Sequence, residues 1–352
     1  MKVGFFSPYL DTYGGGERYM LSLASHLSQD DNNEVEIFWD DSTIKAPISR
    51  FLKIDLTKTR FTKSIFKDKL FANKAIKTRR YDLLFILSDG SVPLTLAKKN
   101  ILHFQVPFLF PSPDFKTKLK LVRYKWIVCN SYFTKSFIDK SFQIQSKVIY
   151  PPVDVDSIKP LQRENVILSV GRFSPQQLHP KKQEILIEVF KELYKKAPLW
   201  KLVLVGQAKK EDSRYIRNLR KITKGYAIKI IENLDVEKLR KLYGHASIYW
   251  HSTGFGEDEF KNPERMEHFG ISTVEASAGG AVPVVIGKGG QKEIIEEGKN
   301  GLLWTTKTQL LEKTLSLINN NQQMQTLSKN AIKNSKRFSK QKFLQEYEKI
   351  IY

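Results

Sequence analysis

Apolar positions along this chain fall in short, nearly continuous runs rather than in strict alternation. One series comprises KVGFFSP (2–8), EVEIFW (34–39), YDLLFILS (81–88), NILHFQV (100–106) and WIVCNSY (126–132). A second comprises KVIYPP (147–152), NVILSVGRF (165–173), KLVLVG (201–206), IKII (228–231), SIYWHS (247–252) and VPVVIG (282–287). Runs of this kind suit strands buried on both faces of a sheet. Stretches between them, such as 17–27 and 183–195, carry helical spacing, so the chain reads as repeated β-α units with parallel sheets. The fold class is α/β. Pro151, Pro152 and Pro160, among polar residues at 150–166, mark a break near residue 160. Two Rossmann-like halves are therefore predicted, facing each other across a cleft lined by the carboxyl ends of their strands.

Composition narrows the class. With 41% hydrophobic and 12% aromatic residues among 352, the chain is globular rather than disordered. Its single cysteine, Cys129, excludes an internal disulfide framework and a Cys-rich zinc site, and a reducing compartment fits best. No apolar run approaches the ~20 residues that span a bilayer, and MKVGFFSPYLDTYGGGE breaks into glycines before a signal-peptide core forms. A cytoplasmic protein is expected. Lys and Arg total 58 against 37 Asp and Glu, a net charge of +21. That excess leaves three partners open: nucleic acid, an anionic membrane or phosphate-bearing ligands.

Candidate chemistry collects at strand ends. After the first strand, TYGGGERYMLSLASHL places Gly15 and Gly16 before a helical pattern, where backbone can approach an anion; a tight strand-to-helix turn explains them equally well. His103, in HFQVP, is either a core histidine or a site residue. NVILSVGRF ends in Arg172, and Lys181 and Lys182 follow before the next helix; an Arg and a Lys there can clamp a diphosphate without metal, or be solvated cations. Glu267 and Glu275 are separated by seven residues, with a helix expected to begin near Ser272. Both carboxylates can then face one cleft, with the N–H groups around Phe269, Gly270 and Ile271 free to meet phosphate oxygens. A capping box, Ser272-x-x-Glu275, competes as a local explanation of Glu275.

The run E-HFGI-STVE-A-AGG-VPVV resembles the E-x7-E segment of glycosyltransferase family 4, the retaining GT-B enzymes. The resemblance spans nearly the whole chain, through the Gly-rich first turn, the H-x-x-P-like strand end, NSYFTKS, YPPVD, SVGRF…K, LVLVG and GG-EII--G-NGLL. EHFGI behind a GFGEDE-type loop is similar to the mannosyltransferase-like members. It implies an N-terminal acceptor domain at 1–155, a nucleotide-sugar donor domain at 156–335, and a C-terminal helix at 336–352 packing back toward the first. It also implies a metal-independent, cofactor-free hexose transfer from a nucleotide-diphosphate sugar to a glycan or lipid-linked acceptor in cell-surface polysaccharide or glycoconjugate synthesis. GDP-mannose is the first guess for the donor. In that reading Glu275 binds ribose, Glu267 and the 269–271 backbone meet the sugar and phosphate, and Arg172 with Lys181 neutralises the leaving diphosphate. Lys182 is an alternative phosphate contact, Gly15 and Gly16 approach the diphosphate, and His103 lies at the reacting face.

Nine residues separate Arg172 from Lys182, longer than is common in the family, and the 254–266 loop is long, acidic and mobile-looking: a lid, a contact to sugar hydroxyls, or a solvated loop. Asp154-Val-Asp156 spells a D-x-D metal motif but sits in the Pro-rich linker and is set aside. Residues 45–80 hold twelve Lys and Arg, including Lys63, Lys67, Lys69, Arg79 and Arg80, against Asp55 and Asp68; a second cluster includes Lys118 and Arg123. Phe61, Ile65, Phe66, Leu70 and Phe71 fall on roughly one helical face, so these clusters suit an acceptor or an anionic membrane at the inner face, or simply dock on the sheet. The enzymatic alternative is a GT-B-like sugar-nucleotide epimerase or a glycosyl phosphorylase. A nucleic-acid-binding protein is less favoured, since the chain carries no helix-turn-helix, RRM or zinc signature.

Overall fold

The computed structural model describes residues 1–12, 14–67 and 71–352, apart from the side chains of Phe71 and Ala72. The chain divides into two compact units, Met1–Pro152 with Lys340–Tyr352, and Val153–Ser339. The first unit carries β1 (Lys2–Phe6), β2 (Glu34–Phe38), β3 (Thr59–Thr62), β4 (Leu83–Ser88), β5 (Lys99–Phe104), β6 (Trp126–Cys129) and β7 (Lys147–Val148). Among the described residues they form one parallel sheet in the order 3-2-1-4-5-6-7. The second unit carries β8 (Glu164–Val170), β9 (Lys201–Gly206), β10 (Ile228–Glu232), β11 (Ala246–His251), β12 (Val282–Ile286) and β13 (Leu302–Trp304), parallel in the order 10-9-8-11-12-13.

Central strands explain the continuous apolar runs. In β4 every residue is buried, Leu83 and Phe85 on one face and Leu84 and Ile86 on the other, because helices cover both sides. The strands missing from the pattern, β3 and β13, lie at sheet edges and offer only TRFT and LLW. KVIYPP supplies β7, which pairs with β6 and so closes the first sheet rather than opening the second.

The single amphipathic helix expected around 61–71 does not form. Phe61 pairs with Ile37 as part of β3, Ile65–Lys67 is a short 3-10 turn, and a helix follows over Phe71–Thr78. The apolar residues dock on the sheet: Ile65 is buried and Phe66 lies 4.4 Å from Phe6 between ring centroids. Asp68, Lys69 and Leu70 lie outside the described residues, as does the side chain of Phe71.

Two interior features hold the first unit. The last helix, Lys340–Ile351, packs Phe343 and Tyr347 against the helix Gly15–Leu27, with Tyr347 Oη 2.9 Å from Tyr19 Oη. On β2, Glu36 is 1% exposed and ringed by Lys2, Arg60, Arg80 and Tyr81. Burial alone would raise this carboxyl, but hydrogen bonds from Tyr81, Arg60 and Lys2 outweigh it and hold the pKa down at about 2.

Two outcomes are expected. Tyr347→Ala should cost about 3–5 kcal/mol in urea unfolding, the usual range for emptying an aromatic core site. Glu36 titrates lower in the folded chain than in the unfolded one, so its contribution is full above pH ~4.5 and is lost as pH falls toward 2. Unfolding free energy measured from pH 6 downward should therefore fall by up to about 3 kcal/mol more in the parent than in Glu36→Gln, and parallel acid limbs would contradict this.

Candidate active site

In the second unit the strand order reverses between β8 and β11, the place where open α/β sheets bind ligands beyond their carboxyl ends. Gly171 follows β8. A Cβ there would lie 2.7 Å from Lys181 Cγ, so the absence of a side chain lets the lysine stem run past. Lys181 Nζ reaches Glu267 Oε2 at 2.7 Å, and His251, the last residue of β11, places Nε2 2.8 Å from the same oxygen. His251 Nδ1 is buried without a partner among the described residues, so the neutral ring with its proton on Nε2 is the form that leaves no orphan N–H. Burial likewise pushes the imidazole below its ordinary value, against the pull of Glu267.

Glu267 is thus a nearly buried carboxylate with both donors on one oxygen. Burial would raise it; the Lys181 charge and the His251 hydrogen bond prevail and hold it well below the usual carboxylate range. His179 sits beside this pair, 4.8 Å from His268 between ring centroids. Burial and the Lys181 charge push it well below its ordinary value. Arg172, half-buried and near enough to act on His179, accepts from Gln183 Nε2 at its backbone carbonyl, and its guanidinium makes no hydrogen bond or ion pair among the described residues.

The helix Ile271–Ala278 starts on Gly270, whose φ of 121° suits glycine; a Cβ would also lie 2.8 Å from Gln291 Nε2. The capping box does not form. Ser272 lies inside the first turn and accepts a hydrogen bond from Tyr249 Oη at 2.8 Å. The N–H groups of Gly270, Ile271 and Ser272 have no acceptor among the described residues. Phe269 turns its ring into the core against Phe338, leaving its backbone at the site. Glu275 stands one turn further, with one oxygen accepting from Tyr243 Oη at 2.9 Å. Glu267, Lys181, Arg172 and the 269–271 backbone are therefore brought together, and His251 and His179 join them unannounced. Their sequence signal was only a histidine at a strand end and another just before Pro180.

Several expectations are corrected. Lys182, the alternative phosphate contact, tethers the acidic loop: its Nζ bonds the Phe255 carbonyl and lies 2.8 Å from Glu257. Lys288 bonds the Glu257 carbonyl, and Lys292 meets Glu259 at 2.8 Å. The 254–266 loop is pinned rather than mobile, because basic residues from distant segments converge on its acids. In the first unit, His103 is fully buried, stacked on Tyr19 at 3.9 Å with burial pushing its pKa down to about 3, which places it in the core rather than at a reacting face. Gly15 and Gly16 open the first helix, and a Cβ on Gly16 would lie 2.6 Å from Gln105 Oε1, the movable end of a flexible side chain. Asp154 pairs with Arg240 at 2.6 Å.

Four cations of the 45–80 block are engaged internally. Lys58 pairs with Asp31, Arg60 with Glu34 and Glu36, Lys67 with Asp40, and Arg80 with Glu36. Those acids lie on β2 and its flanks, outside the window in which the cations were counted. Lys63 and Arg79 are exposed. Arg123 donates to the Thr95 and Ala97 carbonyls, whereas Lys118 is exposed and makes no ion pair among the described residues.

A family profile described as "Glycosyl transferases group 1" matches residues 154–334, just over half of the chain and the part that holds this site. The chain belongs to the glycosyl transferases group 1. It is a glycosyltransferase. It is 27% identical to the GDP-Man:Man(3)GlcNAc(2)-PP-Dol alpha-1,2-mannosyltransferase of Dictyostelium discoideum, over 100% of this chain and 84% of that protein. The Kluyveromyces lactis protein of the same name is 24% identical over 80% of this chain and 60% of its own length. An uncharacterised glycosyltransferase of Methanocaldococcus jannaschii is 30% identical over 64% of this chain and 58% of that one. Among solved structures, Anabaena HepE with UDP and glucose aligns over 100% of this chain and 99% of its own, with TM-score 0.74 and 19% identity. Sucrose-phosphate synthase of Thermosynechococcus elongatus aligns over 99% and 98%, with TM-score 0.69 and 15% identity. At such identities the likeness shows the fold, which is GT-B.

Loss of the Lys182 tether should be visible without any substrate. In this glycosyltransferase, Lys182→Ala removes charge-assisted hydrogen bonds worth about 1.5 kcal/mol or more, so amides at 255–260 should exchange about tenfold faster in hydrogen-exchange measurements. Unchanged exchange would show that Lys288 and Lys292 suffice.

Proposed function

We propose that this glycosyltransferase moves mannose from GDP-mannose to a lipid-linked oligosaccharide at a membrane face, with retention at the anomeric carbon and without a metal ion. The donor and acceptor follow the printed activities of the Dictyostelium and Kluyveromyces relatives. The observation that carries the reading is the Glu267 cluster beside an uncapped helix start: one carboxylate oxygen held by Lys181 and His251, the other with no donor among the described residues.

The free oxygen accepts a hydroxyl of the donor sugar. The diphosphate meets Arg172, Lys181 and the N–H groups at 270–272, a positive field that strengthens the leaving group as charge develops on it. The bond from the anomeric carbon to the diphosphate breaks while the acceptor oxygen bonds the same face, and the acceptor proton passes to the departing phosphate oxygen. When Lys181 turns toward phosphate, the His251 hydrogen bond keeps Glu267 in place. Glu275, steadied by Tyr243, binds the ribose hydroxyls.

GDP should raise the melting temperature, by the equivalent of about 2.7 kcal/mol at one hundred times its Kd. Arg172→Ala and Glu267→Gln should each lower kcat by about 10²–10³, while Glu275→Ala chiefly raises the donor KM. Full turnover in both of the first two would overturn the site. GDP released only when acceptor is present separates transfer from epimerisation and phosphorolysis. Activity should survive EDTA; loss restored by Mn²⁺ or Mg²⁺ would overturn metal independence.

A further inference from the structure

We infer that the outer face of the helix Phe115–Leu121 is a docking surface for an anionic lipid bilayer. This helix turns its apolar residues the wrong way for a soluble domain. Phe115 is 74% exposed, Leu119 56% and Val122, just past its last turn, 83%, while Leu121 alone within the helix is buried. Positions 115, 119 and 122 recur at i, i+4 and i+7, so they form one stripe. Leu109, in the loop before the helix, adds a further exposed apolar side chain. Single exposed apolar residues are ordinary, but an aligned stripe implies a partner.

The charges beside the stripe say which partner. Lys116, Lys118, Arg123 and Lys125 are all exposed around it, and the 115–125 segment contains no Asp or Glu. Lys116, Lys118 and Lys125 form no ion pair among the described residues. Asp114, which precedes the helix, spends its carboxylate on the Thr117 N–H at 2.8 Å. In 45–80, by contrast, Lys58, Arg60, Lys67 and Arg80 meet acids on β2 and its flanks, and Ile65 and Phe66 pack on the sheet. A nucleic-acid backbone rewards the lysines and leaves Phe115, Leu119 and Val122 in water. A second copy would bring like charges together. An anionic bilayer rewards both groups, its interface taking the stripe and its headgroups the lysines.

The reading of a lipid-linked acceptor supplies a reason for a bilayer to be near, but the test does not depend on it. Full-length protein is floated with neutral phosphatidylcholine vesicles, and with vesicles about one third phosphatidylglycerol, at low and high salt. Most of the protein should float with the anionic vesicles at low salt and little with the neutral ones. The combined Phe115→Ser, Leu119→Ser and Val122→Ser variant should lose binding by at least about fivefold, and Lys116→Glu with Lys118→Glu should abolish the preference for anionic lipid. These side chains are exposed, so the melting temperature and its shift with GDP should be unchanged in both variants, confirming that they fold. No flotation, or flotation kept by the triple variant, overturns the inference. Tight oligonucleotide binding without flotation overturns it in favour of nucleic acid, and a dimer that the triple variant dissolves, without flotation, in favour of self-association. Flotation with no GDP shift leaves the docking surface standing and removes the donor reading instead.

Discussion

A carboxylate taken out of water has to be paired, and the candidate site of this glycosyltransferase is organised around that requirement at Glu267. One of its oxygens accepts from both Lys181 and His251, which sit after β8 and at the end of β11, the two strands that meet where the sheet order reverses. To make the first of those bonds the lysine must pass Gly171 without a side chain in its way. To hold the second, β11 must end in a ring that donates from Nε2 and buries its other nitrogen bare. The glycine at 270 then starts a helix beside the pair with its first N–H groups unspent. One unavoidable pairing and the backbone geometry around it thus set a fixed carboxylate beside free N–H groups.

The same accounting sorts some of the basic residues into three settings. Some cations face inward on acids of their own unit, as Lys2, Arg60 and Arg80 do on Glu36. Lys182, Lys288 and Lys292 hold an acidic loop closed, and Lys181 neutralises the buried Glu267. The cluster at 116–125 remains, with cations exposed beside an exposed apolar stripe. A net charge counted along the chain does not distinguish among these, because a lysine paired with a distant acid and a lysine in water count alike.

Much of the fold was legible because parallel strands buried on two faces leave continuous apolar runs, and a local motif such as EHFGI with a second glutamate eight positions after the first keeps its order along the chain. Edge strands β3 and β13 were not legible, since only one side of each is paired and little apolar sequence is needed. Phe61, Ile65 and Phe66 satisfied a helical spacing and yet entered a strand and a turn, where pairing with β2 outweighed local periodicity. Ser272 and Glu275 satisfied a capping box, but Gly270 took the cap because the chain there turns through a positive φ against Gln291.

By itself the sequence determined the α/β class, the parallel sheets and the Gly-rich turns at strand ends, since each of these depends on neighbours close along the chain. Tertiary structure alone decided which of two adjacent lysines faces Glu267, that His251 completes the pair, that His103 is core, and that the acidic loop is tied down. Each of those depends on which residues folding brings together: Lys181 and Glu267 are 86 positions apart, and Lys182 and Glu257 are 75. Spacing along the chain carries no record of such contacts, because they are set by strand order in the sheet.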